Sequence, residues 1–542
     1  MNREAVQPTS VAPTAPVAPP AGDPPPAVAP PAVRTAAAAR PSAAPLRAAS
    51  PPAVGSPAVG SPAAASPAVG SPVVLPPLAS HRFLPPHLGR AAAGPAGGRA
   101  PAGDGFAERP TVEELRLTSF KSYRRATLGL SPLTVLYGPS GVGKSNALDA
   151  LAVLSRLALG EDIADSLDGL PGTAGPLAAP VRGGLLGCVP HGRNAVILGC
   201  TVRSVAGPVR LEVVVRTDGP VRIARERLTL DGQVLVETGE QDVRNRRINV
   251  TWHNDTRQGD IRAPFPSGSL ITSQLPLRVA GSSPGERKVL AASEHLLTAL
   301  REVFPLHPVP ALMRDWTPAD PQARLLGTAA NISALLGRLK NECGRRYGHL
   351  LKVVQSAAPH PLLGLDVARR GTGAQERVLA VFDEGVLGRT GADQASDGML
   401  RHLAFAAVLL TGAGVLDVDP AAEVPSAHRQ LTVLAEDLGA GLGGEQTASL
   451  LRLALEVCGR RDVRLLAALQ DPAAAREALG EPGGPAGPEL VECRRDPATG
   501  HSVLRPESAR VPAQFARGVE DGEQPGEGAV TVAGTGAVDL GR

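Results

Sequence analysis

The sequence predicts an α/β fold, and three observations predict it. The stretch Leu133 to Leu148, LTVLYGPSGVGKSNAL, reads as a buried strand, a glycine-rich turn and the start of a helix. From about Ala195 to Val250 apolar residues recur at period two, as in a half-buried antiparallel lobe. Between Lys288 and Val354 the apolar spacing becomes helical.

The first of the 542 residues cannot join a core. Residues 1–109 are Ala- and Pro-rich, and SPPAVGSPAVGSPAAASPAVGSPVV repeats a short unit whose prolines remove backbone donors and block helix and interior strand. A disordered arm is expected there, serving as a linker or as a contact for a protein partner. The 43% hydrophobic content overstates core-forming material in this arm, because its apolar residues are mostly alanine. Order is expected from Pro110, with Leu115 and Leu117, then Ala126, Leu128 and Leu130, alternating as two strands around Phe120–Tyr123.

The glycine-rich turn follows. Gly138, Gly143, Lys144 and Ser145 fit G-x-x-x-x-G-K-[ST], a nucleotide-binding loop. Glycines reach torsions closed to residues with a Cβ, so the backbone of Gly138, Pro139, Ser140, Gly141, Val142, Gly143, Lys144, Ser145 and Asn146 can turn N–H groups onto phosphate oxygens. The helix start adds unpaired N–H groups and the positive end of its dipole. Lys144 is spaced to reach the β- and γ-phosphates, and the Ser145 hydroxyl to ligate magnesium. A chance match in a chain with 61 glycines is the competing explanation. The apolar run before the loop, and Leu148, Leu151, Leu154 and Leu157 at helical spacing after it, argue against chance.

In the β lobe Val209, Leu211, Val213 and Val215 alternate, and Asp218-Gly219 and Asp231-Gly232 are hairpin turns. A helical lobe over about 285–356 follows, with Val289, Leu296, Leu300 and Val303, then Ile332, Leu335 and Leu339, on helix faces and no heptads long enough for an extended coiled coil. Strands return after Gln355, and SDGMLRHLAFAAVLL begins a helix capped by Ser396. Leu431 to Leu442 opens as an apolar strand that runs into Glu436 and Asp437, Val463–Leu469 is a strand ending in Gln470-Asp471-Pro472, and Glu489 to Leu504 forms a hairpin. Residues 508–542, Gly-rich and acidic, are expected to be disordered.

The five cysteines form no C-x-x-C pair, so neither a disulfide framework nor a zinc site is indicated. No signal peptide and no transmembrane span is visible, and the chain reads as cytoplasmic, without a membrane partner. A net charge of +3 makes no electrostatic case for DNA. The clusters Arg244, Arg246, Arg247 and Arg460, Arg461, Arg464 read as solvated faces.

Over roughly Val112 to Pro506 the pieces resemble the SMC/RecF/OLD-like branch of ABC-type ATPases, filed among AAA-family ATP-binding proteins. LRLTSFKSY followed by the loop resembles that family's opening, SDGMLRHLAF its signature segment and AEDLGAGL its acidic strand. The resemblance implies a P-loop NTPase of ABC-ATPase type, residues 110–507, with ATP and Mg²⁺ as cofactors. Matching Gly441-Leu442 to the family's closing Gly-Leu assigns Glu436 to magnesium and Asp437 to the attacking water; a shift by one would put Asp437 on magnesium and Leu438 in the catalytic slot. It further implies that Ser396 and Gly398 contact the γ-phosphate held by a second subunit, in an ATP-dependent homodimer, although Ser396 could merely cap its helix. Two positions depart from the family. Asp437 stands where glutamate is common, about 1 Å shorter in reach. Gln470 stands at the switch histidine and can donate a hydrogen bond but carry no proton. No Q-loop glutamine is assignable, and Tyr123 reads as packing rather than as a base platform.

A slow ATPase is therefore expected, with DNA repair or phage defence, and nucleic acid as a partner, by family analogy alone. The alternative is a hydrolysis-impaired, nucleotide-gated scaffold that recruits a partner. An OLD-like nuclease fits poorly, with too few residues after Pro472.

Overall fold

The computed structural model describes residues 109–171, 177, 179–257, 259–416, 429–460, 463–480 and 487–508. The proline-rich arm, apart from its last residue, and the tail beyond Ser508 lie outside the described residues.

The Leu133–Tyr137 strand is buried along its whole length. Leu133, Val135 and Tyr137 enter one core and Leu136 the opposite one, because successive side chains leave a strand on opposite faces. Its neighbours behave alike: Val433 and Leu465 join the first core, Leu434 and Leu466 the second. Strands covered on both faces need apolar residues at every step, so they read as continuous runs rather than as alternation. Val303–Leu306, Leu431–Ala435, Val463–Leu469, Leu133–Tyr137 and Glu489–Arg495 lie side by side in that order, all parallel.

Glu489–Arg495 turns back antiparallel into Ser502–Pro506. The same 14-stranded sheet then continues through Tyr123–Gly129 and Thr111–Phe120 to an antiparallel meander, Ala195–Ser204, Gly207–Arg216, Arg222–Leu230, Gln233–Asp242, Arg247–Trp252 and Ile261–Pro266. Asp231 and Gly232 both have positive φ, 47° and 79°, which suits the tight hairpin between its flanking strands. Helices Lys144–Ala158 and Pro284–Arg301 pack with this lobe in one core. Helices Ile332–Glu342, Gly344–Ala357, Asp397–Thr411 and Gly444–Gly459 fill the other, beside a smaller antiparallel sheet of Thr317–Pro318, Arg377–Asp383, Gly364–Arg370 and Arg389–Gly391.

Two details differ from the sequence reading. Val303, spaced as if on a helix, begins the edge strand of the parallel sheet, so the stretch 285–356 is divided between the two cores. Arg464 is buried rather than solvated: its guanidinium donates to the carbonyls of Val112, at 2.7 Å, and Leu130, and burial lowers its pKa to about 10. Arg244, Arg246 and Arg247 are exposed, as expected. No helix among the described residues is long and apolar enough to cross a membrane.

Candidate functional site

In an open parallel sheet a ligand crevice lies beyond the carboxyl ends of the strands. Three ends converge here. The Leu133–Tyr137 strand opens into the glycine loop, Leu431–Ala435 into Glu436 and Asp437, and Val463–Leu469 into Gln470. Ser140, Gly141, Gly143, Lys144, Ser145 and Asn146 line one cavity, and Glu436, Asp437 and Gln470 complete it.

The loop is shaped by its glycines and held from behind. Gly138 has φ 141° and would place a Cβ 2.4 Å from the Cys493 carbonyl oxygen; Gly143 has φ 111° and would place one 2.2 Å from Ser502 Oγ. Its carbonyls are tied down by side chains. Arg495 donates to Gly141 O at 3.0 and 2.9 Å, Ser502 Oγ to Val142 O at 2.5 Å and the Tyr123 hydroxyl to Gly143 O at 3.0 Å. A trans peptide directs N–H opposite to C=O, so each tied carbonyl also fixes the direction of the N–H that follows it, the order that a phosphate cradle requires. Lys144 Nζ donates to Gly138 O at 2.7 Å and Pro139 O at 2.8 Å, leaving one of its three protons for an anion. Burial lowers its pKa, while Cys493 and Asp437 act in the opposite sense. Tyr123 is fully buried and packs, as expected.

The acidic turn is also fixed. Glu436 N donates to Leu306 O at 3.1 Å, and Leu438 N to Ala468 O at 3.1 Å. Leu438 is 1% exposed within the core, whereas Glu436 and Asp437 line the cavity, and Asp437 adopts φ 49°. Gln470 is exposed at its strand end. Ser396 caps its helix by accepting from Met399 N at 3.2 Å. Neither Ser396 nor Gly398 lines the loop cavity. Gly398 faces Gly441, whose carbonyl oxygen would lie 2.3 Å from an added Cβ.

The donors fit magnesium nucleotide. Magnesium takes few protein oxygens and completes its octahedron with water and phosphate, and the Ser145 hydroxyl and Glu436 carboxylate on the cavity wall are donors of that kind. Two lining residues were not foreseen, Arg182 and Arg495. Arg182 Nη1 lies 2.6 Å from Glu436 Oε1 and its Nη2 2.6 Å from Asp149 Oδ2. Both contacts span long sequence separations and follow no local pattern that a motif could have carried.

Residues 133–419 match the family described as "AAA domain, putative AbiEii toxin, Type IV TA system". The chain belongs to this family. Its ATPase-type P-loop fold is the one the sequence predicts, and the AAA-family match includes the loop, Ser396 and Gly398; Glu436, Asp437 and Gln470 lie beyond it. A stretch of 47 residues is 47% identical to the DNA replication and repair protein RecF of Renibacterium salmoninarum, covering 8% of this chain and 12% of RecF. Among solved structures, an SMC head bound to the C-terminal winged-helix domain of ScpA is 13% identical, with a TM-score of 0.41 over 74% of this chain and 99% of that one. The SMC head domain of Thermotoga maritima is 11% identical, with a TM-score of 0.33 over 73% and 98% of the two chains. A Pyrococcus furiosus SMC head carrying an extended coiled coil, bound to the C-terminal domain of ScpA, is 12% identical, with a TM-score of 0.37 over 74% and 98%.

Proposed function

We propose that this AAA-family chain binds ATP with magnesium at the Gly138–Asn146 loop and hydrolyses it slowly in a homodimer that ATP closes. One observation carries the reading: Lys144, Ser145, Glu436, Asp437 and Gln470, from three strand ends, line one cavity. The loop N–H groups and the Lys144 ammonium hold the phosphates. Ser145 and, through water, Glu436 would hold magnesium, which would supply neutralisation of the phosphate charge. Asp437 orients the attacking water and accepts its proton, while the Gln470 amide donates to a γ-phosphate oxygen. Burial of Leu438 supports this register, since a shift by one would need Leu438 in the cavity. Ser396 and Gly398 of a second copy complete the nucleotide site, supported by the exposed cap hydroxyl at that helix start.

A second reading, a nucleotide-gated scaffold that scarcely hydrolyses, is favoured by the short Asp437 carboxylate and by Gln470, which carries no proton. The RecF name points to DNA replication and repair and the family description to a toxin–antitoxin system, so repair and phage defence are the processes to test first, by turnover with and without DNA. The loop itself is tested by calorimetric titration of Lys144→Ala with Mg-ATP. Loss of binding in a folded variant is expected; wild-type affinity would end the assignment.

A further inference from the structure

Arg182 belongs to no motif, yet it bridges two carboxylates, Asp149 on the loop helix and Glu436 on the cavity wall. Its Nη1 contacts Glu436 Oε1 at 2.6 Å and its Nη2 contacts Asp149 Oδ2 at 2.6 Å. The segment that delivers it is held as well: Lys121 Nζ donates to Arg182 O at 2.8 Å and to Asp149 Oδ2 at 2.7 Å. The second Glu436 oxygen lies 3.6 Å from His307 Nδ1. Arg182 therefore donates to one oxygen of the carboxylate assigned to magnesium, and an imidazole nitrogen lies near the other.

We propose that Arg182 is a latch on Glu436 that magnesium must displace, a proposal that rests on Glu436 being the magnesium carboxylate. A guanidinium and a divalent cation compete for one carboxylate, because each is stabilised by the same negative charge and repels the other at close range. Asp149 keeps the latch near when it opens. It stands four residues after Ser145, one turn along the loop helix, so Arg182 can release Glu436 and remain paired. With the latch closed, Glu436 is neutralised and metal-free ATP does not meet its bare charge. With Mg-ATP, Arg182 releases Glu436, which would then hold the metal through water. Arg182 thus lowers the advantage that magnesium gives to nucleotide binding, and it is a positioning residue for Glu436.

The experiment is calorimetric titration of the full chain with ATP in EDTA and in Mg²⁺, for wild type, Arg182→Ala and Arg182→Gln. The readout is the ratio of the Kd in EDTA to the Kd in Mg²⁺, which does not depend on turnover. Removing the competing charge-assisted hydrogen bond should raise the ratio by about tenfold or more in both variants. The glutamine variant keeps a polar side chain without the charge if the alanine variant does not fold. An unchanged ratio would make Arg182 a static strut, and a lower ratio with weaker Mg-ATP binding would make it a phosphate contact; either result overturns the latch. A wild-type chain that binds ATP in neither buffer would overturn the loop assignment and the latch together.

Discussion

The first two glycines of the loop separate steric from torsional demands, and Gly138→Ala should be far more damaging than Gly141→Ala. At Gly138 the added methyl would lie 2.4 Å from the Cys493 carbonyl oxygen, a backbone atom that cannot rotate aside. The torsion there, φ 141°, is also one that residues with a Cβ scarcely populate, at a penalty of roughly 1–3 kcal/mol. Forcing the methyl into packed surroundings adds about 1–3 kcal/mol. The sum, about 2–6 kcal/mol, can be relieved only by moving the loop off the Glu489–Arg495 strand, which shifts the loop backbone that would hold phosphate. Gly141 has φ 81° and nothing within 4 Å of an added Cβ, so only the left-handed torsion, roughly 1–2 kcal/mol, opposes alanine there. Urea denaturation of the three proteins gives the stability difference, and ATP titration gives the functional one. Equal effects of the two substitutions, or wild-type ATP affinity in Gly138→Ala, would refute the packing of the loop against Cys493.

Three further outcomes are expected. Asp437→Glu should raise phosphate release, by up to about a hundredfold if reach alone limits it, and Asp437→Asn should lower it; no change in either would favour the scaffold reading. His402, fully buried on the Asp397–Thr411 helix, has its pKa lowered to about 4 by burial. The unfolded chain therefore binds a proton that the folded chain refuses between pH 6.5 and about 4, so this residue withdraws about 3 kcal/mol as pH falls through that window and nothing above it. His402→Leu should flatten that part of the pH profile in denaturation experiments, and an unchanged slope would contradict it.

Legibility in the sequence followed the range of the interaction. The loop, the acidic strand and the Val463–Leu469 strand could be read because a strand buried on both faces must be apolar throughout, and the catalytic candidates sit where such runs end. The meander could be read from period two and from Asp-Gly turns. Val303 was misplaced because a four-residue edge strand directly after a helix continues its apolar spacing by coincidence. Arg464 was misread because two backbone carbonyls from distant strands satisfy its guanidinium, and composition carries no trace of them. Arg182 was invisible for the same reason: its partners lie 33 and 254 residues away. Gly398 matched the signature segment, but within one chain its close approach to Gly441 already requires a glycine.

Whether Ser396 and Gly398 also serve a partner's nucleotide is the claim on which the composite site stands. Sedimentation velocity of Asp437→Asn, with hydrolysis blocked, tests it most directly. With Mg-ATP the protein should sediment as a dimer and without nucleotide as a monomer, and adding Ser396→Arg should abolish the dimer while leaving ATP binding intact. An Asp437→Asn protein that binds Mg-ATP and stays monomeric would contradict the composite site.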